Sequence, residues 1–116
     1  MFHGESRFQQ AAVIKLRSNG YYCFSVPNGV RLYGKQGNIA RSEGMLSGVS
    51  DLVVLLTCYP VFVEFKNPNG QGRQNPAQKK FERNVKKLGY RYVVWDSMDH
   101  VDQFIDNYKD YKGDTL

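Results

Sequence analysis

A mixed α/β domain, a sheet with helices packed against it, is predicted by three observations. Two largely apolar runs, Asp51-Leu-Val-Val-Leu-Leu-Thr57 and Val61-Phe-Val-Glu-Phe-Lys66, lie close enough to pair as a hairpin. Their apolar residues fall on both faces, which marks central strands covered by helices on at least part of each side. Segments of helical period with start and stop signals stand before and after them, and no repeat, low-complexity tract or linker breaks the 116 residues, so residues 1–116 read as one domain.

From about Glu5 to Ser18, Phe8, Ala12, Val13 and Leu16 recur at helical spacing and Asn19-Gly20 supplies the stop. Tyr21 to Val26 is aromatic and β-branched and ends at the turn cluster Pro27-Asn28-Gly29, which reads as a strand, with a second short strand expected over Val30 to Tyr33. Gly34 to Gly48 carries four glycines and little periodicity; it is expected to be a functional loop, with one helical turn over Ile39 to Glu43. The two central strands follow, broken at Cys58-Tyr59-Pro60, and then a polar loop from Asn67 to Gln74. Asn75-Pro76 provides an N-cap and an N1 proline for a helix through Leu88, closed by Gly89 at C′. Tyr90 to Asp96 is a further strand, and Ser97 caps a last helix from Met98 to about Tyr108 with Val101, Phe104, Ile105 and Tyr108 inward. The predicted order is αββ(α)ββαβα.

Composition narrows the functional classes. The 16 Lys and Arg against 11 Asp and Glu give a net charge of +5, which favours a polyanionic partner, nucleic acid being the commonest. The longest apolar run, Leu52 to Val63, is interrupted and falls short of the roughly 20 residues a spanning helix needs, so no membrane segment is expected. The first ten residues lack a basic and apolar signal pattern, and a cytoplasmic protein is expected. Cys23 and Cys58 lack CxxC spacing and are expected to be buried free thiols, while His3 and His100 complete no zinc-finger pattern.

Chemistry concentrates on the central strands. Glu64 and Lys66 are two apart, so they leave the same strand face, the face that otherwise shows Phe62. If the hairpin pairs Asp51 with Lys66 and Val53 with Glu64, Asp51 joins that face. Two neighbouring carboxylates repel and cannot both stay ionised cheaply unless a cation sits between them, and oxygen-only donors favour a hard ion, Mg²⁺ or Mn²⁺, over Zn²⁺. A lysine beside such an ion suits phosphodiester hydrolysis, because it holds or helps deprotonate the attacking water. The plain alternative is a same-face or cross-strand ion pair, with Asp51 a turn residue. Three charges interrupting otherwise buried strands, with a glycine-containing loop at each end, strengthen the case for a site and leave the ion-pair alternative open.

The run Gly48-Val-Ser-Asp51-Leu, then Val63-Glu64-Phe-Lys66, Asn-Pro-Asn-Gly and the helix opening Asn75-Pro-Ala-Gln78, resembles the VRR-NUC (virus-type replication-repair nuclease) branch of the PD-(D/E)XK nuclease superfamily. The resemblance extends to Glu5-x-x-x-Gln9, Pro27-Asn28-Gly29, Glu43-Gly44 and the closing Gly89-Tyr90 strand and helix. It implies a restriction-endonuclease-like core and metal-dependent DNA cleavage. Asp51, Glu64 and Lys66 match the family's metal-binding and catalytic positions, Glu5 the helix-borne acid that completes the metal shell, and Gln78 the glutamine on the helix after Glu-x-Lys. Ser50 stands where the branch commonly has proline, a residue that supplies rigidity and no ligand.

Bland readings compete for the supporting residues: Glu5 as a favourable charge at a helix N-terminus, Gln78 as a solvated polar residue. Lys79, Arg83 and Lys86 lie on one helical face and, with Lys80 and Lys87, form either a phosphate-tracking stripe or a solvated face. Lys35, Arg41 and Arg73 fall in predicted loops nearer the scissile strand, and Asn28, Arg31 and Tyr33 are further candidates for facing nucleic acid.

The expectation is a structure-selective DNA endonuclease of repair, replication or recombination, similar to Holliday-junction resolvases and so a homodimer acting on branched DNA, with a phage or prophage source by analogy. A sequence-specific restriction-type enzyme is disfavoured by the short chain. A non-catalytic DNA-binding module is disfavoured because polyanion binding gives no reason to gather carboxylates.

Overall fold

The computed structural model describes residues 3–27, 34–67 and 74–112, with side chains from residue 6 in the first segment and residue 38 in the second. The predicted strand Val30 to Tyr33, with Asn28, Arg31 and Tyr33, and also Arg73, lies outside the described residues.

Helix α1 (His3–Ser18) leads into β1 (Tyr22–Ser25), α2 (Gly34–Ser42), the hairpin β2 (Leu52–Leu56) and β3 (Tyr59–Phe65), then α3 (Pro76–Lys87), β4 (Arg91–Trp95), α4 (Met98–Asn107) and a 3₁₀ turn, Lys109–Tyr111. The strands form one sheet in the order β1-β2-β3-β4; the first two pairings are antiparallel and β3 with β4 is parallel. β2 and β3 are central, as their two-sided apolar runs require. The parallel step from β3 to β4 needs a crossover, and α3 supplies it.

Alternation along the strands divides the sheet into two faces. Leu52, Val54, Leu56, Val61, Val63, Phe65 and Trp95 pack against Phe8, Ala12 and Leu16 of α1 and Val101 and Phe104 of α4. A run of aromatic contacts ties these layers: Phe8 to Phe65 at 5.3 Å, Phe65 to Trp95 at 5.9 Å and Trp95 to Phe104 at 5.3 Å, all edge-to-face. On the opposite face, Phe62 meets Phe81 of α3 at 5.6 Å and Phe81 meets Tyr92 at 6.2 Å. The signals read for α3 are present as a capping box: Asn75 Oδ1 accepts from the Gln78 N–H and Gln78 Oε1 from the Asn75 N–H, both at 2.9 Å. Gly89, at φ 89°, takes the left-handed C′ position.

Three expectations need correction. The segment read as a functional loop holds the nine-residue helix α2 (Gly34–Ser42), longer than one turn, and its glycines had masked the period. Thr57 and Cys58 form the hairpin turn, and Tyr59-Pro60 already belong to β3. The proline costs no ladder bond to β4, whose pairing begins at Val61↔Arg91. That turn is centred one residue earlier than expected, so Val53 faces Phe62 instead of Glu64, and Leu52 faces Val63. The resulting shift of two residues leaves every side chain on its expected face. Cys23 is buried as expected, but Cys58 is exposed at the turn, with φ 75°.

Candidate active site

The end of the hairpin away from its turn gathers the charges. Asp51 directly precedes β2, and its backbone and side chain are both used in anchoring. Its carbonyl accepts from the Val26 N–H at 2.8 Å, fastening the end of β1. Its Oδ2 accepts from the Phe65 N–H at 2.8 Å. The carboxylate thus continues the β2–β3 ladder beyond its last paired residues, Leu52 and Val63. Next to it, Ser50 is fully buried and its hydroxyl donates to the Leu52 carbonyl at 3.3 Å, a hydrogen bond that restrains the backbone leading into β2.

Glu64 is only 1% exposed, an unusual position for a carboxyl group. Its pKa is pushed up to about 9, first by burial and then by a hydrogen bond to Asp51 and that residue's negative charge; Lys66 and Tyr92 act in the opposite direction. The two carboxyl groups therefore share a site that a proton or a cation must neutralise. Lys66, half-buried at the end of β3, donates its backbone N–H to Trp95 O at 2.8 Å, holding its stem at the C-terminal end of the parallel pair. Asp51, Glu64 and Lys66 are thus brought together as expected, although by a different register.

Other predicted residues are placed less tightly around this centre. Glu5 is in α1 one turn before Phe8, whose ring rests on Phe65, so the opening turns of α1 approach the end of β3 that carries Glu64 and Lys66. The side chains of Glu5 and Lys35 lie outside the described residues. Gln78 spends its carbonyl oxygen on the capping box. Behind it Gly48, at φ 85°, approaches α3 so closely that a Cβ there would lie 2.4 Å from the carbonyl carbon of Ala77. The loop before Asp51 is thereby pinned to the start of α3, beside a cleft of about 390 Å³ bordered by Val26, Met45, Gly48, Asn75 and Gln78. Lys79, Lys80, Arg83 and Lys87 are exposed on α3, whereas exposed Lys86 pairs with Glu82 at 2.6 Å. Arg41 closes α2 and donates to Asn38 Oδ1 at 2.7 Å.

Sequence reasoning missed three participants. The Tyr92 hydroxyl lies 3.4 Å from Glu64 Oε2, and Gln74 Nε2 lies 3.1 Å from that hydroxyl and 2.9 Å from Glu82 Oε1. A signal for Glu82 was present: with Gln78, Phe81 and Val85 it occupies the inward i, i+3, i+4, i+7 stripe of an otherwise basic helix. Tyr92 could be recognised only after the parallel pairing put it opposite Phe62, next to Glu64's position on the neighbouring strand.

A divalent cation suits the donor set, two adjacent carboxyl groups of which one is buried and strained by the other's charge. Among the described residues no group of three or more His, Cys, Asp or Glu side chains gathers. Among the described residues, too, no helix is long and apolar enough to cross a membrane.

Solved structures share this architecture. One, named as a VRR_NUC domain protein, superposes with a TM-score of 0.74 over 100% of this chain and 98% of its own, at 20% identity. Another, named as a VRR_NUC domain, gives 0.64 over 90% and 97%, at 26% identity. No protein-family model and no curated protein matches the chain. The restriction-endonuclease-like core implied by the sequence resemblance is therefore present as a fold.

Proposed function

With the VRR_NUC fold as premise, we propose that this protein is a metal-dependent DNA endonuclease that hydrolyses phosphodiester bonds, acting on branched DNA as a homodimer in repair, replication or recombination. The observation that carries the reading is the Asp51–Glu64 pair, a buried carboxyl group held against a second one with Lys66 two residues along the same strand face. A surface ion pair has no need of such burial, which costs free energy that a bound cation would offset.

Asp51 and Glu64 would hold Mg²⁺ or Mn²⁺, with Glu5 assisting. When bound, the cation supplies Lewis-acid stabilisation of charge on the phosphoryl oxygens. Asp51 keeps the donor geometry rigid, because its second oxygen is committed to the Phe65 N–H. Lys66 orients the attacking water and balances the paired carboxylates. Gln78 supports the site by locking the start of α3, through its cap, against the loop that delivers Asp51. The exposed cations Lys79, Lys80 and Arg83, with Lys35, Arg41, Arg73 and Lys86, would hold the phosphate backbone.

The test is incubation of purified protein with labelled four-way junction, flap, fork and linear duplex, with and without Mg²⁺ or Mn²⁺. Symmetric nicking of junctions supports the full reading, and binding without cleavage in either metal overturns it. Glu64→Ala and Lys66→Ala proteins that stay folded are expected to lose cleavage.

A further inference from the structure

Behind Glu64 runs a chain of hydrogen bonds whose direction is fixed by the chemistry of its far end. Glu82, on the inward stripe of α3, accepts from the Lys86 ammonium at 2.6 Å, and this bond keeps its carboxyl ionised below the usual range. An ionised carboxylate can only accept. The Gln74 group 2.9 Å from Glu82 Oε1 must therefore be the amide NH₂, not the carbonyl. The same nitrogen has a second hydrogen, directed at the Tyr92 oxygen 3.1 Å away. With its oxygen accepting from Gln74, the Tyr92 hydroxyl directs its own hydrogen to Glu64 Oε2.

We propose that Tyr92, oriented by Gln74 and Glu82, is a positioning residue that fixes the Glu64 carboxyl so that one oxygen is committed to the phenol and the other is presented to a divalent cation shared with Asp51. The inference rests on the metal-dependent reading above and deepens it. The geometry gives two reasons. Tyr92 is 7% exposed, and its ring is wedged against Phe81, so the hydroxyl cannot swing away. It belongs to β4, the strand hydrogen-bonded to β3, so its position relative to Glu64 is set by sheet register instead of a loop.

The experiment uses the full chain and Mn²⁺ alone as probe, reading free Mn²⁺ by electron paramagnetic resonance. Tyr92→Phe keeps the ring and removes the hydroxyl; it is expected to weaken Mn²⁺ binding about tenfold, the lower end of what outer-shell partners of metal ligands contribute, since the bond to Glu64 is long. Gln74→Ala, at a half-buried position before α3, is expected to shift binding in the same direction by a smaller factor, and serves if Tyr92→Phe does not fold. Saturating Mn²⁺ is expected to restore most of the cleavage rate in both, a split that a merely structural role would not produce. Unchanged Mn²⁺ affinity in both variants, in a wild type that binds Mn²⁺ and cleaves, overturns the positioning role and leaves the nuclease reading intact. Weakened Mn²⁺ binding without cleavage of any DNA by the wild type supports the positioning role and overturns the nuclease reading. A wild type that binds no Mn²⁺ overturns both.

Discussion

Replacing Glu64 by Gln should make the metal-free protein more stable at neutral pH, and the size of the gain follows from the burial of the carboxyl. Its folded-state pKa is raised from 4.5 to about 9. For a raised pKa, the stabilising contribution is fully present below the unfolded value, and it is lost as pH rises from about 4.5 towards 9. At one proton, each pH unit in this window changes stability by about 1.4 kcal/mol, so between pH 4.5 and 7 the wild type gives up about 3 kcal/mol, an upper estimate. Glutamine has no proton to lose. Its carbonyl can accept from Tyr92 and its NH₂ can donate to Asp51, the pattern the protonated acid uses, so packing is kept. Urea denaturation of both proteins with a chelator present, from pH 4 to 8, isolates the effect, because other titrating groups cancel in the difference. The two should converge near pH 4 and diverge above pH 5, by about 3 kcal/mol in unfolding free energy at pH 7. Mn²⁺ should stabilise the wild type and not the variant. Parallel stability profiles across this range would refute the buried-pair argument.

Gly48→Ala should lose about 1–3 kcal/mol from the left-handed backbone alone, more from the contact with Ala77, and should lower cleavage by freeing the loop that carries Asp51; thermal denaturation beside the nuclease assay checks both. Lys79→Glu with Arg83→Glu should weaken DNA binding and reduce its salt dependence by roughly 0.9 in log–log slope for each lost phosphate contact, measured by anisotropy titration. A thiol reagent should label exposed Cys58 in the native protein, and Cys23 only after unfolding, since burial shields that thiol and raises its pKa; peptide mapping distinguishes them.

Most elements were legible because their signals are local. Asn75-Pro76 and Gly89 bound α3 through capping chemistry confined to a few residues, and β2 and β3 announced their central position through apolar residues on both faces. α2 was underestimated, since its glycines weaken the period that marks a helix. The turn was misplaced because Cys58 takes a left-handed conformation that glycine or asparagine normally signals, so nothing in the residue types identified it. The error did not spread to the site, because a shift of two residues preserves the faces of a strand.

Glu64 and Lys66 were readable as a pair from the chain alone, since spacing of two on a strand guarantees one face. That Asp51 shares their face was conditional on the hairpin register, and the expectation survived because the actual register differs by two residues, which keeps the faces. The sequence by itself thus determined the chemistry on offer: two carboxyl groups, a lysine and a surplus of positive charge on a mixed sheet. Only the tertiary structure decided how that chemistry is held. Tyr92, Gln74 and Glu82 come from a strand, a loop end and a helix that no local pattern connects, and burial of Glu64 depends on the sheet and α3 together. Local signals report which side a residue faces. Desolvation and the direction of a hydrogen-bond chain depend on what lies across the space, and only the folded chain supplies that.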